Sequence, residues 1–75
     1  MNKKRRTQIK EVYASLRDTK DNLKDILSDE EYTHDNLPEN LQSSEQAEVS
    51  EDAIDKMDDA VDAIEEAMGY LEDIV

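Results

Sequence analysis

A seven-residue apolar period runs through most of this chain and admits one class of fold. In the C-terminal half, Ala47, Ser50, Ile54, Met57, Val61, Ile64, Met68, Leu71 and Val75 follow at alternating steps of three and four, the spacing that stacks side chains along one stripe of an α-helix. In the N-terminal half Ile9, Val12, Leu16, Leu23 and Ile26 do the same, with Thr19 in the remaining position. A strand would need period two, so the expected class is all-α. Between the runs, residues 32–44 lose the period and gather His34, Asp35, Asn36, Pro38, Asn40, Ser43 and Ser44, types that turn the chain or cap helices. Leu37 precedes Pro38 and is thereby steered from helical angles. Ser43 with Gln46 three residues on has the form of a capping box. The expectation is a single helical-hairpin domain spanning 1–75, with a helix at about 4–31, a hinge at about 32–43 and a helix at about 44–74.

Charge is divided as sharply as the helices. Residues 1–27 hold eight basic against four acidic side chains, whereas residues 28–75 hold Lys56 against seventeen acids. The two halves attract each other. Folding the chain antiparallel about residue 40 pairs Ile9 with Leu71, Val12 with Met68, Leu16 with Ile64, Thr19 with Val61, Leu23 with Met57 and Ile26 with Ile54. The same alignment places Arg6 beside Glu72 and Lys20 beside Asp58, so pattern and charge favour one register. A second stripe, Ala53, Ala60, Ala67 and Ile74, lies at seven-residue spacing beside the seam, opposite Ser15 and Asn22. Two helices of this size bury little alone, so dimerisation of two hairpins into a four-helix bundle is expected through that flank.

Composition excludes more than it assigns. With 36% hydrophobic and 40% charged residues in 75 positions, the chain cannot build the deep core that most enzyme folds need. A net charge of -12 repels nucleic acid and anionic membranes and points to basic partners. Cysteine is absent, which leaves no disulfide framework and no thiolate metal site. Apolar runs never exceed three residues, so neither a signal-peptide core nor a membrane span is expected, and the expected location is the cytoplasm.

The strongest surface feature is the acidic second helix. Glu51, Asp52, Asp55, Asp58, Asp59, Asp62, Glu65, Glu66, Glu72 and Asp73 occupy nearly every outward position, interrupted by Lys56. Carboxylates three or four residues apart lie about 5–6 Å from each other, a spacing similar to that of backbone phosphates. Asp52, Asp55, Asp58, Asp59, Asp62, Glu65, Glu66 and Asp73 are therefore candidates for contact with the basic surface of another protein. The basic run Lys3-Lys4-Arg5-Arg6, continued by Lys10, Arg17 and Lys24, is expected to neutralise the acidic helix rather than bind nucleic acid directly.

Other motifs fail on inspection. Asp55–Glu66 has the length of a calcium loop, but Met57 stands where a ligand is needed and Ala60 where a glycine makes the turn. Glu31-Tyr32-Thr33-His34 reads as the E-x-x-H half-motif of di-iron bundles, yet it falls in the expected hinge, where His34 would be a solvated loop residue. The seams carry no carboxylate before Glu30, so neither metal nor cofactor is expected. One histidine and one glycine allow no nucleophilic triad and no phosphate-cradling loop. No enzymatic activity is expected. Gly69 is unusual inside a helix, signalling either a close contact beside Tyr70 or fraying at the chain end. Tyr32, Leu37 and Leu41 are expected to cap the bundle end or to form a binding tip.

Around the hinge, Asp35-Asn36-Leu37-Pro38-Glu39-Asn40-Leu41-Gln42 and Ser44-Glu45 lie between a basic helix and an acidic one containing Ala53-Ile54-Asp55 and Ala63-Ile64-Glu65-Glu66-Ala67. This arrangement resembles a loose group of short acidic helical proteins encoded in phages and mobile elements of Gram-positive bacteria. The resemblance implies a context, an inhibitor acting on a host defence or nucleic-acid enzyme in the host cytoplasm, and assigns no residue. The alternative expectation is a structural or regulatory self-associating bundle whose acids serve only as a solvent shell.

Overall fold

The computed structural model covers residues 1–75 and is all-helical. Helix α1 runs Lys3–Asp35, a single 3-10 turn occupies Glu39–Leu41, and helix α2 runs Glu45–Glu72. The helices pack side by side into an extended hairpin with axial extents of 59 × 14 × 13 Å.

Local chemistry explains the boundaries. The Asn2 side chain accepts a hydrogen bond from the Arg5 amide at 2.8 Å, closing the first turn of α1. At the other end α1 passes the expected stop near residue 31 and continues through His34 and Asp35. Asn36 ends it by donating through its side-chain amide to the Tyr32 carbonyl at 2.7 Å, which satisfies one of the last orphan acceptors. Leu37 and Pro38 then bring the chain out, and no residue needs positive φ to turn it. The cap of α2 is Ser44, one residue later than the Ser43 capping box predicts, with its hydroxyl accepting from the Ala47 amide at 3.2 Å. The same hydroxyl donates to the Leu41 carbonyl at 2.6 Å, tying cap to turn.

The α2 seam is buried or half-buried along Ala47, Ser50, Ile54, Met57, Val61, Ile64, Met68 and Leu71, while Val75 is exposed. On α1, Ile9, Leu16 and Leu23 face the seam, but Val12, Thr19 and Ile26 do not. Val12 is 52% and Ile26 57% exposed, whereas Leu27 is 8% exposed. The α1 seam is Ile9, Tyr13, Leu16, Lys20, Leu23, Leu27, Glu30 and His34, and Leu37 continues it just past the helix end. Both frames share every second member, so apolar spacing leaves the rotation of α1 open by one residue. The pairing of Val12 with Met68, Thr19 with Val61 and Ile26 with Ile54 is corrected accordingly.

The Ser50 hydroxyl donates to the Glu30 carboxylate at 2.7 Å, a pair centred on the expected fold-back at residue 40, whereas Tyr13 with Glu72, Lys20 with Glu65 and His34 with Glu51 are centred two to three residues later. Hydrogen-bonding capacity accounts for the rotation. Tyr13, Lys20 and His34 face Glu72, Glu65 and Glu51, so turning α1 by one residue gives three α2 carboxylates a donor or cation. Tyr13 and Lys20 also lay apolar surface along the seam while their polar tips reach its edge.

At the hinge end Leu37 is half-buried and caps the seam, whereas Tyr32 is exposed. A β-carbon at Gly69 would meet nothing within 4 Å, and α2 continues past it to Glu72. The glycine therefore serves no close contact. Gly69→Ala should raise stability by about 0.5–1 kcal/mol through helix propensity alone, read as a higher thermal midpoint by circular dichroism. Leu27→Ala should lower stability by about 2–3 kcal/mol in denaturant titration, a larger loss than Ile26→Ala produces.

Candidate protein-binding face

Relative to each seam, the residue one position later lies on one flank of the hairpin and the residue one position earlier on the other. Because the helices are antiparallel and related by a pseudo-two-fold axis normal to the hairpin plane, equivalent offsets fall on the same side. One side thus receives Lys10, Arg17 and Lys24 from α1 and Glu51, Asp55, Asp58, Asp62, Glu65 and Glu72 from α2. Asp52, Asp59, Glu66 and Asp73 form the next row outward on α2. All eight acids expected to contact a partner are exposed. Together they make a continuous strip about 30 Å long.

The structure divides these acids by what lies against them. Glu65 lies 4.0 Å from the Lys20 ammonium and 3.6 Å from that of Lys24. Glu51 lies 3.4 Å from His34 Nε2. Lys56 turns back along its own helix to Asp52 at 2.9 Å. The hydrogen bond from its ammonium to Asp52, reinforced by the carboxylate charge, raises the Lys56 pKa above the ordinary 10.5. Asp55, Asp58, Asp59, Asp62, Glu66 and Asp73 have no Lys, Arg or His nitrogen within 4.0 Å. Their charge is left for solvent or for a partner.

The expected pairs Arg6 with Glu72 and Lys20 with Asp58 do not form. Glu72 instead accepts the Tyr13 hydroxyl at 2.9 Å, and Lys20, standing in the seam, reaches Glu65. Lys3, Lys4, Arg5 and Arg6 make no ion pair within 4.0 Å.

Near the turn the acidic side deepens into an open cleft of ≈ 410 Å³ lined by Glu31, His34, Asp35, Glu51, Ile54, Asp55 and Asp58. Two of its carboxylates, Glu31 and Asp35, come from α1 and were missed in the sequence reading. They follow the seam residues Glu30 and His34 by one position, a signal visible once α1 is extended through the expected hinge. His34 is a half-buried residue in the last turn of α1, which corrects its expected place in a solvated loop. Its Nδ1 is enclosed and has no hydrogen-bond partner. The cleft can take a lysine or arginine side chain, whose charge would face five carboxylates and whose stem would pass Ile54.

No helix is long and apolar enough to cross a membrane. No protein-family model matches the chain, and no curated protein or solved structure matches it.

The Tyr13 pair supplies a titratable marker of the closed hairpin. Its phenol is held above the ordinary 10.0 by the hydrogen bond to Glu72, then by burial and by repulsion from the Glu72 charge, with Arg17 acting in the opposite direction. The raised folded-state value means that this contribution to stability is intact below 10.0 and is lost as pH rises through the raised value. In protein carrying Tyr32→Phe and Tyr70→Phe, phenolate absorbance should develop above pH 10.0, and adding Glu72→Ala should bring its midpoint back towards that value.

Proposed function

We propose that this is a non-enzymatic protein-binding module that offers the acidic strip of α2, extended at the turn by Glu31 and Asp35, to the basic surface of a host protein. The observation carrying this reading is the row of exposed, unneutralised carboxylates at Asp55, Asp58, Asp59 and Asp62, beside a cleft suited to a basic side chain. Solubility alone does not need such a row, since like charges about 5–6 Å apart along one helix weaken it. A rod bearing carboxylates at this pitch suits a groove built for nucleic acid, and occupying the groove would exclude its normal ligand. Field complementarity would speed association and make it sensitive to salt. The proposed role is that of a phage-encoded inhibitor acting in the host cytoplasm by nucleic-acid mimicry. In this reading two hairpins pair into a homodimeric four-helix bundle, which stiffens the rod and presents two strips.

A second reading, a structural or regulatory bundle defined by self-association, draws support from the apolar side chains left exposed at Val12, Ile26 and Val49. Replacing Asp55, Asp59, Asp62 and Glu66 together by lysine separates the two. The tagged wild-type protein should retain one stoichiometric nucleic-acid-handling protein from a Gram-positive lysate, release it at moderate salt and lose it to added nucleic acid. The charge-reversed variant, with helicity unchanged by circular dichroism, should retain none. Retention by that variant, or recovery of the bait alone from a lysate of the proper host, overturns the inhibitor reading.

A further inference from the structure

The side of the hairpin opposite the acidic strip is almost free of charge. On α1 it carries Gln8, Val12, Ser15, Thr19, Asn22 and Ile26, each one residue before a seam position, with Asp29 as the charged member of that row near the turn. On α2 the corresponding residues include Ala53, Ala60, Ala63, Ala67 and Tyr70, with Lys56 as the charged exception. In a chain that is 40% charged, this segregation demands a reason. Bulky apolar groups are nonetheless left in water here, Val12 at 52% and Ile26 at 57% exposure, and an open groove runs along Gln8, Val12, Ser15, Leu16 and Thr19, with Glu11 at its outer rim.

The accessible area says how much covering the hairpin needs. A compact monomer of this mass exposes roughly 4,700 Å², whereas the hairpin exposes 5738 Å². The excess, about 1,000 Å², is close to the ~800 Å² that each partner buries in a standard protein interface. Only five residues are buried in the single chain, and no large side chain is fully buried. One further layer of helices on the uncharged side would supply the missing core.

We infer that this layer is a second copy of the chain, related by a two-fold axis parallel to the helices, so that α1 of each copy lies over α2 of the other. The assignment rests on the homodimer proposed above and names the surface that makes it. Shape selects this arrangement. The operation preserves height along the bundle, and so sets Val12 of one copy against Ala67 of the other, Thr19 against Ala60 and Ile26 against Ala53. At each seven-residue step a branched side chain meets an alanine, which allows close interdigitation. Asn22 meets the level of Lys56, giving the lone cation a polar neighbour. Every adjacent pair of helices is then antiparallel, as in an up-down-up-down bundle. The charge distribution agrees, because pairing through this side keeps the two acidic strips on opposite outer surfaces, where two chains of charge -12 repel least.

The absence of native cysteine makes the test direct. Light scattering should give the 75-residue chain twice its 8.6 kDa mass. Val12→Cys protein mixed with Ala67→Cys protein should form a covalent heterodimer on mild oxidation. Asp58→Cys protein mixed with Ala67→Cys protein should not. Both substitutions on the proposed face are small and isolated, and circular dichroism checks that the variants remain helical. A wild-type mass of one chain at all concentrations overturns the pairing and the face together. A doubled mass with no crosslink between Val12→Cys and Ala67→Cys overturns the face and leaves the dimer standing. The acidic-strip reading is tested apart from both, since reversing charge at Asp55, Asp59, Asp62 and Glu66 should leave the doubled mass unchanged.

Discussion

Glu51, Asp58, Glu65 and Glu72 stand at seven-residue intervals along the edge of the α2 seam, and Tyr13, Lys20, Leu27 and His34 stand at the same intervals on α1. Three of the four rungs join a hydrogen-bond donor or cation to a carboxylate. Each such exposed pair contributes little on its own. Together they matter because the two available rotations of α1 bury similar apolar side chains, Leu27 in place of Ile26 and Tyr13 in place of Val12. Where packing nearly balances, a few modest polar contacts acting in one direction decide. The rotation they select brings Lys24 to Glu65 and carries the uncharged residues of α1 round to the same side as the alanines of α2.

The legible and illegible parts of the sequence divide along the same line. In α2, acids flank Ile54, Met57, Val61, Ile64, Met68 and Leu71 so consistently that only one stripe is available, and its frame could be read directly. In α1, Ile9, Leu16 and Leu23 belong to two frames at once. Choosing the more apolar one favours Val12 and Ile26, yet the choice depends on what α2 presents across the interface, a long-range property that no local window contains. The extent of α1 was obscured for a related reason. Thr33, His34 and Asp35 look like turn formers, yet the helix runs through them and closes at Asn36, whose backbone and side-chain amides both donate to the Tyr32 carbonyl.

The candidate site was legible as a list of acids and illegible as a surface. Sequence places Asp52, Glu65 and Asp59 on the same footing, whereas the structure pairs the first with Lys56, the second with Lys20 and Lys24, and leaves the third without a cation. It also brings Glu31 and Asp35 of the other helix to the cleft near the turn. The hairpin is thus two-sided, with ion pairs and free carboxylates on one side and small or neutral groups on the other. A chain with so few hydrophobic residues can keep a contact surface and a charged surface apart only by assigning them to different offsets from one seam.

The Tyr13–Glu72 bond joins residues 59 apart in sequence, and the Ser50–Glu30 bond joins residues 20 apart. Closing the longer loop first would cost about 1 kcal/mol more in chain entropy than closing the shorter one. Chain entropy therefore favours closure from the turn outward, each rung shortening the loop that the next must close. Synthesis on the ribosome proceeds in the same order, with α1 complete before the turn emerges and each heptad of α2 released beside an already exposed seam. Chain entropy and the direction of synthesis thus favour the same order of closure, from the turn towards the end at which Tyr13 meets Glu72.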